Sequence, residues 1–130
     1  MAGVSLDQLE QQFAVNTHRM GLLTKFKDEL LDWQAYLTEL RIWLFGSYLT
    51  DKDQPGDIDV LLAGRLKPGT PLPPKLPRKY RDDIHVMPEL RFGIGELASK
   101  EQLVQKFNED EGNMNRGIQI SVHQVIDLLL

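Results

Sequence analysis

WLFGSYLTDKDQPGDIDVLL, residues 43–62, holds two apolar runs separated by a Gly-Ser bend and an acidic loop. The first run, RIWLF at 41–45, is β-branched and aromatic and stops at Gly46. The second, DIDVLL at 57–62, stops at Ala63-Gly64. Both read as strands. Side chains on a strand alternate faces, so Asp57 and Asp59 share one face while Ile58 and Val60 take the other. Two carboxylates about 4 Å apart repel by roughly 4 kcal/mol at an effective dielectric of ~20. A shared proton or a divalent cation between them removes that cost. With oxygen ligands and no cysteine in the chain, the cation expected is a hard one, Mg2+ or Mn2+.

A long helix is expected before this stretch. Asn16 or Thr17 can cap it, and Leu22, Phe26, Leu30, Trp33, Leu37 and Leu40 recur at steps of four and three. That spacing predicts an amphipathic helix from about 17 to 39 whose apolar stripe is core. SLDQLEQQFAV, 5–15, suits a shorter helix capped by Ser5 or Asp7. After the acidic strand, DIHVM at 83–87 reads as a third strand closed by Pro88. Ser99 and Gln102 have capping-box spacing for a helix from about 97 to 110, and IQISV at 118–122 reads as a fourth strand. Helices first, then strands alternating with loops and a helix, predict an α/β domain: a mixed sheet of about four strands with helices packed on it.

The 130 residues fit one domain, 1–130, with 42% apolar and 26% charged residues. Without cysteine there is no disulfide framework, thiolate nucleophile or thiolate metal site. No signal peptide and no membrane-length apolar run stand out, so a cytoplasmic protein without membrane attachment is expected. A net charge of −4 argues against wholesale coating of nucleic acid. The stretch 65–81, RLKPGTPLPPKLPRKYR, is nevertheless basic throughout. It reads either as a solvated, proline-stiffened loop or as a flap that meets phosphate, including that of a nucleic acid.

DKDQPGDIDVLL, 51–62, partly fits a calcium loop, with Asp at positions one, three and nine and Gly at six. It fails at position five, which is Pro55, and at twelve, where Leu62 stands in place of a bidentate Glu; its flanks also read as strands.

A strand ending in Gly46-Ser47, a nine-residue spacer and then Asp57-Ile58-Asp59 resembles the signature of the DNA polymerase beta-type nucleotidyltransferase superfamily. The LFGSY…GDIDVLL wording and the short chain are most similar to its minimal nucleotidyltransferase branch. The resemblance covers residues 41–90 and implies a nucleotidyltransferase-like fold. It implies a Mg2+-dependent transfer of a nucleoside monophosphate from an NTP, by family precedent ATP, to an acceptor hydroxyl on protein, nucleic acid or a small molecule. Gly46 and Ser47 would hold phosphate, Lys52 would assist, and Asp57 and Asp59 would bind metal. A third acid is required on a neighbouring strand. In RDDIHVMP, 81–88, Asp83 fits that role because it shares a face with His85 and Met87, whereas Asp82 shares the Ile84 and Val86 face. His85 either lines the same pocket or packs as an ordinary side chain. Tyr48 either stacks on a nucleotide or belongs to the core.

The resemblance further implies a cleft completed by a second copy or a partner, such as a HEPN-type protein in a toxin–antitoxin pair. A non-catalytic module of the same fold, binding protein or nucleic acid, is the alternative.

Overall fold

In the computed structural model, the residues described are 3–69, 84–91 and 98–130. Among them, five strands form one mixed sheet: β1 (Gly3–Ser5), β2 (Leu37–Phe45), β3 (Ile58–Leu66), β4 (Ile84–Arg91) and β5 (Ile126–Leu129), in the order β1-β5-β2-β3-β4. β2 runs antiparallel to β3 and β5, whereas β3 and β4 are parallel, as are β1 and β5.

Four helices accompany the sheet among the described residues: α1 (Leu6–Phe13), α2 (Thr17–Tyr36), α3 (Lys100–Glu109) and α4 (Glu111–Asn115). Strand alternation sorts the apolar residues onto two faces. Ile42, Leu44, Ile58, Val60 and Leu62 meet Leu22, Leu23, Phe26, Leu30 and Trp33 of α2 and Leu9 of α1. Trp43, Phe45, Leu61 and Ala63 meet Leu103 and Val104 of α3. The central strands β2 and β3 are thus covered on both sides, which explains their near-continuous apolar runs.

The caps follow the sequence. Ser5 and Ser99 each close a reciprocal box, with Gln8 and Gln102 respectively, and the Asn16 side chain accepts from the Arg19 N–H at 2.8 Å.

Several boundaries differ from expectation. β3 does not stop at Ala63-Gly64 but runs through them to Leu66, with Ala63 opposite Arg41 and the bare Gly64 packed against Leu37. α2 stops at Tyr36 and not near 39, because Leu37 is already extended and β2 begins there. Leu37 is buried as the first residue of β2, so its spacing continues the helical stripe by coincidence. A bulge between Thr38 and Arg41, with Glu39 at φ 53°, also hides the period of two at the start of β2. Nor is the buried face of α2 wholly apolar, since it includes Arg19 and Glu29.

Pro88 does not end its strand but pairs opposite Leu62. β4 lies at the sheet edge, where a missing N–H is tolerated.

IQISV, 118–122, is not a strand. The Asn108 side chain donates to the Ile120 carbonyl at 2.9 Å and accepts from its N–H at 2.9 Å, satisfying that backbone as a neighbouring strand would have done. The last strand is instead Ile126–Leu129. The expected helix start at 97 and the loop from 70 onward lie outside the described residues, and so do Asp82 and Asp83.

Candidate functional site

β2 ends at Phe45, directly opposite Asp59 on β3. The next residue, Gly46, turns the chain at φ 87° and ψ −166°, a conformation essentially reserved for glycine. The space that a side chain would need there is already taken. A Cβ on Gly46 would overlap Asp59 Oδ2 and lie 3.0 Å from its Cγ. The Gly-Ser bend and the second aspartate are therefore one packed unit, although thirteen positions separate them in the sequence.

Ser47 opens a single 3-10 turn, Ser47–Leu49, and is half-buried. Its carbonyl accepts from the Thr50 N–H at 3.1 Å and from Thr50 Oγ1 at 2.6 Å. Lys52 is exposed on the following loop. Asp57 is half-buried immediately before β3, and Asp59 is half-buried within it, between the fully covered Ile58 and Val60. Asp83 lies outside the described residues. β4 begins at Ile84, aligned with Ile58, and its His85 is in register with Asp59.

Tyr48 belongs to the core. Its ring has no solvent exposure and its hydroxyl donates to the Arg19 carbonyl at 3.0 Å. Burial pushes that hydroxyl up to about 12 from its ordinary 10.0, against the opposing pull of the Arg19 guanidinium; Glu10 adds to the rise.

The loop from 47 to 55 is held from one side by the first turn of α2, a device the sequence reading missed. Arg19 is 2% exposed, and its guanidinium lies 5.1 Å from the Tyr48 ring centroid. Its Nη1 donates to the carbonyls of Phe13 at 3.1 Å and Tyr48 at 2.8 Å. Its Nη2 donates to Thr50 at 2.7 Å and also to Lys52, which receives Nε at 3.0 Å. Asn16 Nδ2 donates to the Asp53 carbonyl at 2.9 Å, and His18 Nε2 to the Pro55 carbonyl at 2.6 Å. A buried cation is stable here because several carbonyl dipoles replace its hydration. The available signal was a lone arginine three residues after a helix cap, in line with the apolar stripe.

Chemically, the site offers the Asp59 carboxylate against a rigid glycine bend and the Asp57 carboxylate just before the start of β3. Among the described residues, no group of three His, Asp or Glu side chains converges to hold a metal ion. Two carboxylates still suit Mg2+, which commonly takes one or two carboxylates and completes its shell with water and substrate phosphate.

These features define a mixed α/β protein whose central acidic strand abuts a Gly-Ser bend. The chain belongs to a family described as a family of unknown function (DUF6932), whose model matches residues 2–121. No curated protein and no solved structure matches it. No helix among the described residues is long and apolar enough to cross a membrane.

Proposed function

We propose that the chain is a minimal, nucleotidyltransferase-like enzyme of the cytoplasm that moves a nucleoside monophosphate from an NTP, with ATP the first candidate, to an acceptor hydroxyl. The observation that carries this reading is the contact between Asp59 and Gly46. It fixes an acid suited to a cation directly against an exposed glycine bend. Asp57 and Asp59, with Asp83 as the third acid, are the residues assigned to Mg2+ or Mn2+. When bound, that ion neutralises phosphate charge and favours the deprotonated acceptor. Gly46 and Ser47 orient the triphosphate, and the exposed Lys52 adds positive charge. Asp83 takes the acceptor's proton as its oxygen bonds to the α-phosphorus and the bond to pyrophosphate breaks. A HEPN-type partner or a second copy completes the cleft, in the manner of an antitoxin with its toxin. The basic sequence 65–81 is the segment assigned to nucleic acid.

The test incubates the purified chain with each labelled NTP, Mg2+ or Mn2+, and cell lysate. Wild type should label a macromolecule or small acceptor, and Asp59→Asn should abolish labelling while its circular dichroism stays unchanged. Absence of label with every nucleotide and both metals, or full activity in Asp59→Asn, rejects the enzymatic reading. A binding module of the same fold would then be left.

A further inference from the structure

Away from the Gly-Ser bend, a pocket of about 290 Å3 opens beside the end of β5, lined by Leu40, Arg41, Trp43, Asp127, Leu129 and Leu130, among others. Trp43 and Asp127 are cross-strand partners, and strand alternation puts Arg41 on the Trp43 face. The Arg41 guanidinium carbon stands 4.9 Å from the Trp43 ring centroid. Asp127 Oδ1 is buried without a hydrogen-bond partner. Among the described residues, Arg41 and Asp127 form no ion pair with each other, although both line this one pocket.

A buried carboxylate oxygen without a donor costs about 1–3 kcal/mol or more. A bridging water brings no charge to set against the carboxylate. A ligand ammonium group satisfies the oxygen better. Arg41 presents the opposite charge from the same face, with donors arranged for a carboxylate. The leucines suit the aliphatic carbons of such a ligand, whether they lie between the two charged groups or beside them. Its volume of about 290 Å3 lies near the lower end of the roughly 300–1,000 Å3 common for ligand pockets, which suits a small ligand.

The geometry points to a binding site for a small aliphatic amino acid in its zwitterionic form, its ammonium on Asp127 and its carboxylate on Arg41. The site is independent of the transfer reaction proposed above. The isotope-labelled full chain is titrated with L-leucine and with 5-aminopentanoate, while the Trp43 indole N–H and the amides of 127–130 are followed by NMR. Pentylamine and pentanoate, each carrying one of the two charges, are the comparators.

At least one amino acid should give saturable shifts at Trp43, and the arm that binds tells an α- from an ω-amino acid. Each single-charge comparator should bind about tenfold more weakly or worse, and Asp127→Asn and Arg41→Gln should weaken binding by a similar factor. Asp59→Asn should leave binding unchanged, which separates this site from the proposed transfer site. No saturable shift with either amino acid overturns the inference. So does equal binding of pentylamine, or undiminished binding in a folded Asp127→Asn variant. Should that variant not fold, the exposed Arg41→Gln and the ligand comparison decide.

Discussion

Replacing Gly46 by alanine tests the centre of the site without removing a charged group. Two costs are expected. A non-glycine residue in this sparsely populated backbone region costs about 1–3 kcal/mol. The new methyl also collides with the Asp59 carboxylate, and forcing an extra carbon into a packed place costs about 1–3 kcal/mol more. The sum, about 2–6 kcal/mol, is a large share of the roughly 5–15 kcal/mol that typically holds a domain together. At about 3–5 °C per kcal/mol for a chain of this size, Tm should fall by about 6 °C or more.

Gly117 supplies the internal control. Its φ is 69°, but a Cβ there meets nothing within 4 Å. Gly117→Ala should therefore carry only a backbone cost, about 1–2 kcal/mol. Urea denaturation of both variants, and of Gly46→Ala made in an Asp59→Ala background, separates the two terms. Removing the carboxylate should relieve the collision, so the second Gly46→Ala should cost about 1–3 kcal/mol less than the first. A Gly46→Ala cost no larger than that of Gly117→Ala, or one indifferent to Asp59, would refute the packed unit of bend and acid.

Two further outcomes concern the support beneath the bend. Tyr48 keeps its proton more tightly in the folded chain, near 12 against 10.0, so its contribution is fully present below pH 10. Between about pH 10 and 12 the unfolded state ionises first and stability falls, by an amount up to about 2–3 kcal/mol. Denaturation across this range should show a smaller decline for Tyr48→Phe, whose base cost is about 1 kcal/mol for the lost hydrogen bond to the Arg19 carbonyl; identical slopes would remove the assignment. Arg19→Met should strand the carbonyls of Tyr48, Thr50 and Lys52 and cost about 3 kcal/mol or more, with faster amide exchange through 47–53. Arg19→Lys should recover only part, because an ammonium lacks the fork that reaches several carbonyls.

What the sequence disclosed was set by how locally each feature is determined. Caps at Ser5, Asn16 and Ser99 are read over three or four residues and stand as expected. The apolar runs of β2 and β3 follow from burial on both faces, which composition alone reveals. IQISV misled because its β-branched alternation carries no sign that an asparagine twelve positions earlier meets its backbone. The Arg19 clamp escaped for the same reason at longer range, since its bonds to Tyr48, Thr50 and Lys52 cross 29–33 positions. Helical periodicity counts any charged residue as solvent-facing, yet this one is buried because loop carbonyls replace water around it. That substitution has a consequence for the site. The loop between the bend and the two aspartates has little apolar surface of its own beyond Tyr48, Leu49 and Pro55, and draws its shape from the first turn of α2. α2 is anchored in turn by Leu22, Phe26 and Trp33 against β2 and β3, the strands that carry Gly46 and Asp59 at their ends. Bend, acid and loop are consequently fixed to one core from both sides. A change in the α2 stripe far from any carboxylate should therefore disturb the bend, whereas one in the α3 layer acts through the opposite sheet face.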